Sequence, residues 1–482
     1  MSTNIKRPTE LPQYKINTCR LTTELLDIPG NNQDLFIEIR DIVAEVNIYE
    51  TLDKPYLTGD LVVMDEFGIL SAIKFQGTER ITLEINPTAS GLDENPSPSF
   101  RKTFICSQIK NQSKSKSGKA SVYLIKIIEE HGFLGSIKRV RKSYRGSIEN
   151  TIKKVLKNEL GFDRINTTYT GTARFENNDI VQQDINCIVP NLSVNETLSW
   201  LCSRITTSNG SPYFLYSTVH SKAPIKEDEY AGEVRLGNLD FMLREPSFNR
   251  IPFIYNPTGR SLAMASEASK RFVIKRLELG SSSDTLKMLK IGAVSTRYSN
   301  LDISTGNTSE KQYTIEEQIN KLSKFDIIQR KKQNIHNPLF KIGEKGLNEY
   351  TPKTIHRITS QGTYGQFSSY HDEIDDNKHL NKVSSVSMKN NLHKNNKIIE
   401  CEGSMFMFGK VKVGDCINVL IVSDSHLLSQ NQSDGEEQSE NLYDERHSGK
   451  HLIYHMKYKF SNNEASITAT ICKFESNQIE EG

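Results

Sequence analysis

The 482-residue sequence holds one tryptophan, and aromatic residues make up only 8% of it. No run of about 18 consecutive apolar residues occurs, so no segment reads as a membrane-crossing helix. Charge of one sign is not in excess either. The 61 Lys and Arg balance 59 Asp and Glu to a net +2, so a general electrostatic footprint for nucleic acid is missing. Met1 to Gln13 is polar and proline-punctuated, without the basic-then-apolar pattern of a secretory leader, and the chain is expected to fold in a cytoplasm. The seven cysteines (Cys19, Cys106, Cys187, Cys202, Cys401, Cys416, Cys472) are odd in number, scattered, and without metal-ligand spacing, as reduced core thiols are.

Familiar catalytic signatures are also missing. There is no His-Glu-x-x-His, no Gly-x-Ser-x-Gly, no Gly-x-x-x-x-Gly-Lys-Ser/Thr and no Cys-x-x-Cys. His447, His451 and His455 would stack on one face of a helix and bind a metal there. The alternation of Leu452, Tyr454, Met456, Tyr458 and Phe460 instead specifies a strand, with His451 and His455 expected on its polar face beside Ile453, Lys457 and Lys459. Asp372, Glu373, Asp375 and Asp376 lack the Gly and terminal Glu of a calcium-binding loop and read as a solvated turn. The basic run Lys138–Arg145 reads as a solvated or subunit-facing surface. No catalytic, cofactor-binding or metal-binding residues are assigned, and no cofactor is called for.

What the chain does contain is β pattern at both ends. Leu35–Tyr49, Leu57–Met64, Arg80–Ile85, Phe100–Gln108 and Ala120–Ile128 read as strands joined by local turns, with Lys114–Gly118 as a polar hairpin tip. A small antiparallel barrel or sandwich follows. After Gly146 the period changes. Ser147 reads as an N-cap of a helix carrying Ile148, Ile152, Val155, Leu156 and Leu160, which Gly161 ends. Ser193 and Glu196 form a capping-box pattern ahead of Leu198, Leu201, Cys202 and Ile205, a helix expected to run to about Thr206, and Pro212–Tyr216 reads as a strand. Phe272–Leu279 and Thr285–Tyr298 are read as strands. Ser299–Asn396 is polar, with one short helix expected over Thr314–Leu322, and is taken to need a partner for full order. Lys397–Cys401, Asp415–Val422, Leu452–Phe460 and Ala465–Phe474 close the chain as β, around an acidic loop, Asp424–His447.

The order of several motifs resembles the central baseplate hub family of T-even-like contractile phages, which is related to VgrG-type hub domains. The first is Ile42-Val43-Ala44-Glu45-Val46-Asn47-Ile48-Tyr49-Glu50 followed by Pro55-Tyr56-Leu57-Thr58-Gly59, then Asp65 and Gly68. The second is Val140-Arg141-Lys142-Ser143-Tyr144-Arg145-Gly146-Ser147-Ile148. The third joins Ile188-Val189-Pro190-Asn191-Leu192-Ser193 to Leu198-Ser199-Trp200-Leu201-Cys202-Ser203-Arg204 and the aromatic strand Tyr213-Phe214-Leu215-Tyr216. Gly414-Asp415 and Ser448-Gly449-Lys450-His451-Leu452-Ile453 are similar to the closing elements of a second barrel. The stretch Ser299–Asn396 matches nothing in that family.

The resemblance implies a mainly β fold with an α+β middle domain: two small antiparallel tube-like β-barrels per chain, a mixed domain and a polar insertion. The expected division is an arm over 1–34, the first barrel over 35–135, the middle domain over 136–270, the second barrel over 271–298 and 397–476, the insertion over 299–396 and a tail over 477–482. By the same resemblance the chain is a structural, non-enzymatic hub subunit of a virion tail baseplate, assembled in the host cytoplasm and forming part of the DNA channel. Its expected partners are two further copies in a homotrimer, tail tube rings, the central spike, and tape measure and wedge proteins, with no specific nucleic-acid binding and no membrane insertion. The alternative from another class is a tail-tip cell-wall hydrolase whose 299–396 insertion uses Glu373 or His371.

Overall fold

The structure, a computed structural model, describes residues 14 to 473 apart from 23–35, 71–76, 88–99, 115–119, 162–183, 220–232, 257–271, 315–340, 360–384, 403–410, 424–442 and some gaps of up to four residues. Alternation drives the first unit. β1 (Tyr14–Thr22), β2 (Phe36–Glu38), β3 (Val43–Thr51), β4 (Thr58–Asp65), β5 (Arg80–Pro87), β6 (Phe100–Lys114) and β7 (Ser121–Glu129) pair antiparallel in the order β3-β4-β7-β6-β5-β1-β2. Val46, Ile48, Leu61, Val63, Ile81, Leu83, Tyr123, Ile125 and Ile127 all turn into one core. Each such side chain contributes about 1.5–3 kcal/mol of burial. The strand expected over Leu35–Tyr49 is interrupted by a 3-10 turn at Arg40–Ile42. That turn lets Ile39 N–H donate to Cys19 O at 2.8 Å, closing the unit from β1 onto the chain entering β3. β6 runs on through Lys114, so the expected hairpin tip begins inside a strand and its remainder lies outside the described residues.

The middle unit follows as α1 (Glu130–Ile137), β8 (Arg139–Val140), β9 (Ser143–Ser147), α2 (Ile148–Leu160), β10 (Asp184–Ile188), β11 (Leu192–Ser193), α3 (Val194–Cys202), β12 (Tyr213–Thr218), β13 (Glu233–Asn238) and α4 (Leu239–Arg244). Its helix ends obey the capping rules. Ser147 Oγ accepts from Asn150 N at 3.2 Å, and Gly161 ends α2 at φ 75°, a left-handed conformation natural to glycine. At α3, Ser193 Oγ accepts from Glu196 N at 3.2 Å while Glu196 Oε2 accepts from Ser193 N at 2.8 Å, a complete capping box. The helix stops at Cys202, short of the expected Thr206. Leu198, Leu201 and Ile205 nonetheless pack with Ile152, Val155, Leu156, Tyr213 and Leu215 in a second core.

The second β unit begins with β14 (Phe253–Tyr255) and β15 (Ile274–Leu279). Thr285–Ile291, expected as strand, is helix α5. Leu286, Lys287, Met288, Leu289 and Lys290 are strong helix formers with no β-branched residue among them, and Gly292 at φ 80° stops the turn. β16 (Ser295–Asp302) then leaves the barrel for a separate sheet, antiparallel to β17 (Thr308–Thr314) and, beyond the small hairpin β18 (Lys341–Ile342) and β19 (Lys345–Gly346), parallel to β20 (Lys353–Thr359). The polar insertion thus carries β structure of its own. The helix expected over Thr314–Leu322 lies outside the described residues apart from Thr314, which ends β17. β21 (Asn396–Glu402), β22 (Cys416–Ile421), β23 (Gly449–Ser461) and β24 (Glu464–Cys472) complete the second unit. Its order is β15-β21-β24-β23-β22-β14, antiparallel except for the parallel pair β14–β22. Here Ile254 N–H donates to Phe272 O at 2.8 Å, closing β14 onto the chain entering β15.

The two β units share one strand order. With β1 and β2 set aside in the first unit and β14 in the second, the remaining strands in chain order are β3, β4, β5, β6, β7 and β15, β21, β22, β23, β24; both sets arrange as first-second-fifth-fourth-third. Irregularities coincide as well. β3–β4 shifts register between Val43 and Glu45, and β15–β21 between Ile274 and Arg276. β6–β7 shifts between Cys106 and Gln108, and β23–β24 between Ile453 and His455. A bulge redirects a strand at one position, so the two coincident bulges align the units residue by residue up to Lys110, where β6–β7 shifts again before Ser113 and β23–β24 does not.

Candidate assembly interface

The two units meet as a continuous sheet. β3 lends its outer edge to the C-terminal half of β23 in seven antiparallel pairs, from Thr51 opposite His455 to Glu45 opposite Ser461. Ile48, Val46, Tyr458 and Phe460 fill the buried face of this seam. On the opposite face the Tyr49 and His455 rings stack 5.9 Å apart, and Lys459 Nζ lies 2.9 Å from Glu45 Oε2. Burial raises the Glu45 carboxyl, but hydrogen bonds from Lys459 and Asn47, with the Lys459 and Lys457 charges, outweigh it and hold the group below its ordinary range. Tyr49 Oη donates to Asp60 Oδ2 at 2.8 Å; burial and that carboxylate raise the phenol, which stays neutral.

Where β3 leaves the seam, Glu50 is fully buried and joins three parts of the chain. Its carboxylate accepts from Val219 N beyond β12 and from Val413 N, the latter at 3.3 Å, in the approach to β22. Burial, partly countered by these two N–H groups, pushes its pKa up to about 7. Around it Leu52, Phe214, Tyr216, Met242, Met388, Leu392, Leu452 and Tyr454 form a third core. Met388 and Leu392 belong to the end of the polar insertion, which is therefore anchored here. A second buried charge cluster lies at the far end of β7. Glu129 pairs with Lys102, stands 3.1 Å from His131 Nε2 and accepts from Leu57 N at 2.6 Å. Burial pushes Lys102 down to about 7 and, with the Lys102 charge, His131 down to about 3.

The expectation for His451 needs correction. It is 1% exposed, not on a solvated face, and Ile453 is fully buried beside it. The bulge at Tyr454 resets the alternation, so that Ile453 turns into the barrel core while Leu452 and Tyr454 turn into another core, and both faces of the strand are covered up to that point. His451 Nδ1–H donates to Gly449 O at 2.7 Å, leaving Nε2 to accept from Lys397 Nζ at 3.0 Å. Burial, then the Lys397 and Lys473 charges, hold its imidazole neutral, well below its ordinary range. His455 keeps its half-buried place in the seam, while His447 caps a turn through its N–H to Asp444 Oδ1 at 3.1 Å. No group of three metal-ligating side chains occurs among the described residues. His371, Asp372, Glu373, Asp375 and Asp376, and most of the loop 424–447, lie outside those residues.

The basic run is committed to local contacts. Arg141 Nε donates to Asn191 Oδ1 at 2.7 Å, Lys142 Nζ to Glu159 Oε1 at 2.5 Å, and Arg139 Nη1 lies 3.4 Å from Glu196 Oε2. All seven cysteines are free thiols, buried except for the half-buried Cys187. Sequence reasoning did not single out Glu50, Lys102, Glu129 or Lys397. The one available signal was a charged residue at a position where alternation points into the core, as with Glu50 and Glu129.

The chain is thus a mainly β protein built on two barrel units of one connectivity, fused edge to edge. No family profile and no curated protein matches it. Among solved structures it is similar to the tail protein from Neisseria meningitidis MC58, at 11% identity and a TM-score of 0.48, covering 96% of this chain and 97% of that one. It is similar to the prophage MuSo2 43 kDa tail protein from Shewanella oneidensis, at 8% identity and 0.43, covering 96% and 97%. It is also similar to a chain of the Francisella PdpA-VgrG complex, at 10% identity and 0.41, covering 98% and 54%.

Proposed function

We propose that the chain is a structural, non-enzymatic hub subunit of a contractile tail baseplate, a homotrimer that adapts a sixfold tail tube to a threefold spike and lines part of the DNA channel. The observation that carries this reading is the repeated barrel. Two units of the same strand order, aligned by coincident bulges and joined by the β3–β23 seam, supply from one chain what a ring of like barrels needs twice. Three chains then present six similar barrels to a sixfold partner, while the middle unit and the insertion, once per chain, keep the other face threefold. The motifs from Ile42 to Gly59 and from Ile188 to Tyr216, which carry the resemblance to hub proteins, fall on β3–β4 and on the α3–β12 unit. Tube, spike, tape measure and wedge proteins are the partners this reading implies, in a virion assembled in the host cytoplasm.

Analytical ultracentrifugation of the purified chain at micromolar concentration tests it. A trimer is expected, and electron-microscopic averages should show six barrels about one axis, the two in each chain superposing after a rotation near 60°, the sixth of a turn that a sixfold ring requires. A stable monomer, or two units that do not superpose, overturns the reading.

A further inference from the structure

Alternation on β6 points Phe100, Lys102, Phe104 and Cys106 to one face, and that face is the core of the first barrel. Phe100 pairs with Ile85, Lys102 with Leu83 and Phe104 with Ile81, and every residue named here except Lys102 is buried. Lys102 is the charged member of an apolar row, its side chain only 13% exposed. On the neighbouring strand Glu129 pairs with Phe104, one core-facing place from Lys102, with its side chain 1% exposed.

The two oxygens of the Glu129 carboxyl are held differently. Oε2 accepts from Leu57 N at 2.6 Å and stands 3.1 Å from His131 Nε2, which lies 3.1 Å from Pro55 O as well. Oε1 touches Lys102 Nζ yet has no hydrogen-bond partner among the described residues, so the amine does not approach it along a hydrogen-bond direction. Two buried charges in contact without that bond are a costly arrangement, because each has left water without full compensation. His131, pushed down to about 3 by burial and the Lys102 charge, stays neutral and does not share the carboxylate as a second cation.

We infer that Lys102 and Glu129 condense to an amide, a covalent tie from β6 to the end of β7 that closes a loop over residues 102–129. The atoms balance within the pair. The Lys102 ammonium passes one proton to Glu129 Oε1, and its freed lone pair forms the Nζ–Cδ bond. A second proton follows from Nζ to Oε1, the Cδ–Oε1 bond breaks with its electron pair on oxygen, and Oε1 leaves as water. Nζ keeps its third hydrogen as the amide N–H. Oε2 becomes the amide oxygen, and the Leu57 N–H is already placed to stabilise the negative charge it carries in the tetrahedral intermediate. Burial, partly countered by the Glu50 charge, pushes the Lys102 amine down to about 7, so the nucleophilic neutral form is populated near neutral pH. Holding amine and carboxyl in one fold supplies an effective concentration of about 10⁵–10⁸ M, and the amide removes both buried charges.

The intact mass of the denatured full-length chain tests this, with or without Met1. The wild type, purified after folding, should be lighter than its sequence by one water, about 18 Da. Protease digestion should then give a branched peptide that fragmentation shows to be joined through Lys102 and Glu129. Lys102→Arg and Glu129→Ala should each have the full mass of their sequences. Lys126→Arg, which removes an amine on the opposite face of β7, should keep the loss of water. Wild-type chain that is folded by circular dichroism and retains its full sequence mass after prolonged incubation at neutral pH overturns the inference. A loss of water mapped to any other residues overturns it equally. Neither result bears on the hub reading, because the bond lies within one chain and forms without a partner.

Discussion

Replacing Glu50 by glutamine separates the cost of a buried charge from the hydrogen bonds that hold it. The carboxyl is fully buried and its pKa rises from 4.5 to about 7 on folding. Because the folded value is the higher one, the folded chain binds more protons than the unfolded chain between these two values, and stability falls as pH rises through that window. The span from 4.5 to about 7, at about 1.4 kcal/mol per pH unit, makes the loss about 3 kcal/mol once the group is ionised. The Glu50→Gln side chain is neutral throughout and keeps an acceptor for the Val219 N–H, although its amide nitrogen offers none to Val413 N, which costs about 1–3 kcal/mol at every pH. Urea unfolding of both proteins from pH 5 to pH 8 reads the difference directly, because most other titrating groups cancel. The wild type is expected to be the more stable at pH 5, and its advantage should shrink by about 3 kcal/mol by pH 8. A difference that stays flat across that range would show that Glu50 is not held in this environment and would refute the three-way junction drawn around it.

Leu201→Asp buries an unpaired charge in the middle core and should cost about 3–5 kcal/mol, abolishing soluble trimer; soluble, trimeric protein would show that the α3 face is misassigned. Ser193→Ala removes one half of the capping box and should lower stability by about 1 kcal/mol, read as a shift of the denaturant midpoint at constant slope. Gly59→Ala places a Cβ 2.5 Å from Asn47 O, a backbone atom that has no rotamer to give way, so the β3–β4 pair should open and the variant lose about 1–3 kcal/mol by thermal unfolding. Shortening the acidic loop 424–447 to a Gly/Ser turn should leave trimer formation and Tm unchanged while weakening attachment to a tail component, checked by sedimentation and partner pull-down.

Local features were the legible ones. Ser147, Gly161, Ser193 and Glu196 announce helix ends through side chains adjacent in sequence, and the structure seats each as expected. The alternation in Ala120–Ile128 and Leu452–Phe460 identified strands for the same reason. What escaped depended on partners distant in the chain. A one-residue bulge at Tyr454 moved His451 from an expected polar face into the core, and nothing beside it in the sequence marks the bulge. The parallel pairing of β16 with β20 joins residues far apart in the chain across a polar stretch with no local period. The likeness of the two barrels is likewise invisible in the residues themselves, since Val43–Ile48 and Ile274–Leu279 share pattern but little identity; it emerges only from who pairs with whom.

β23 belongs to both barrels at once, its first residues paired with β22 and its last seven with β3. A pull along that strand therefore loads every hydrogen bond of the seam together in shear, whereas a pull across it would open them one at a time. Threading a single strand through both units makes the joint stiffest along its own length, the direction in which successive bonds cannot be unzipped separately.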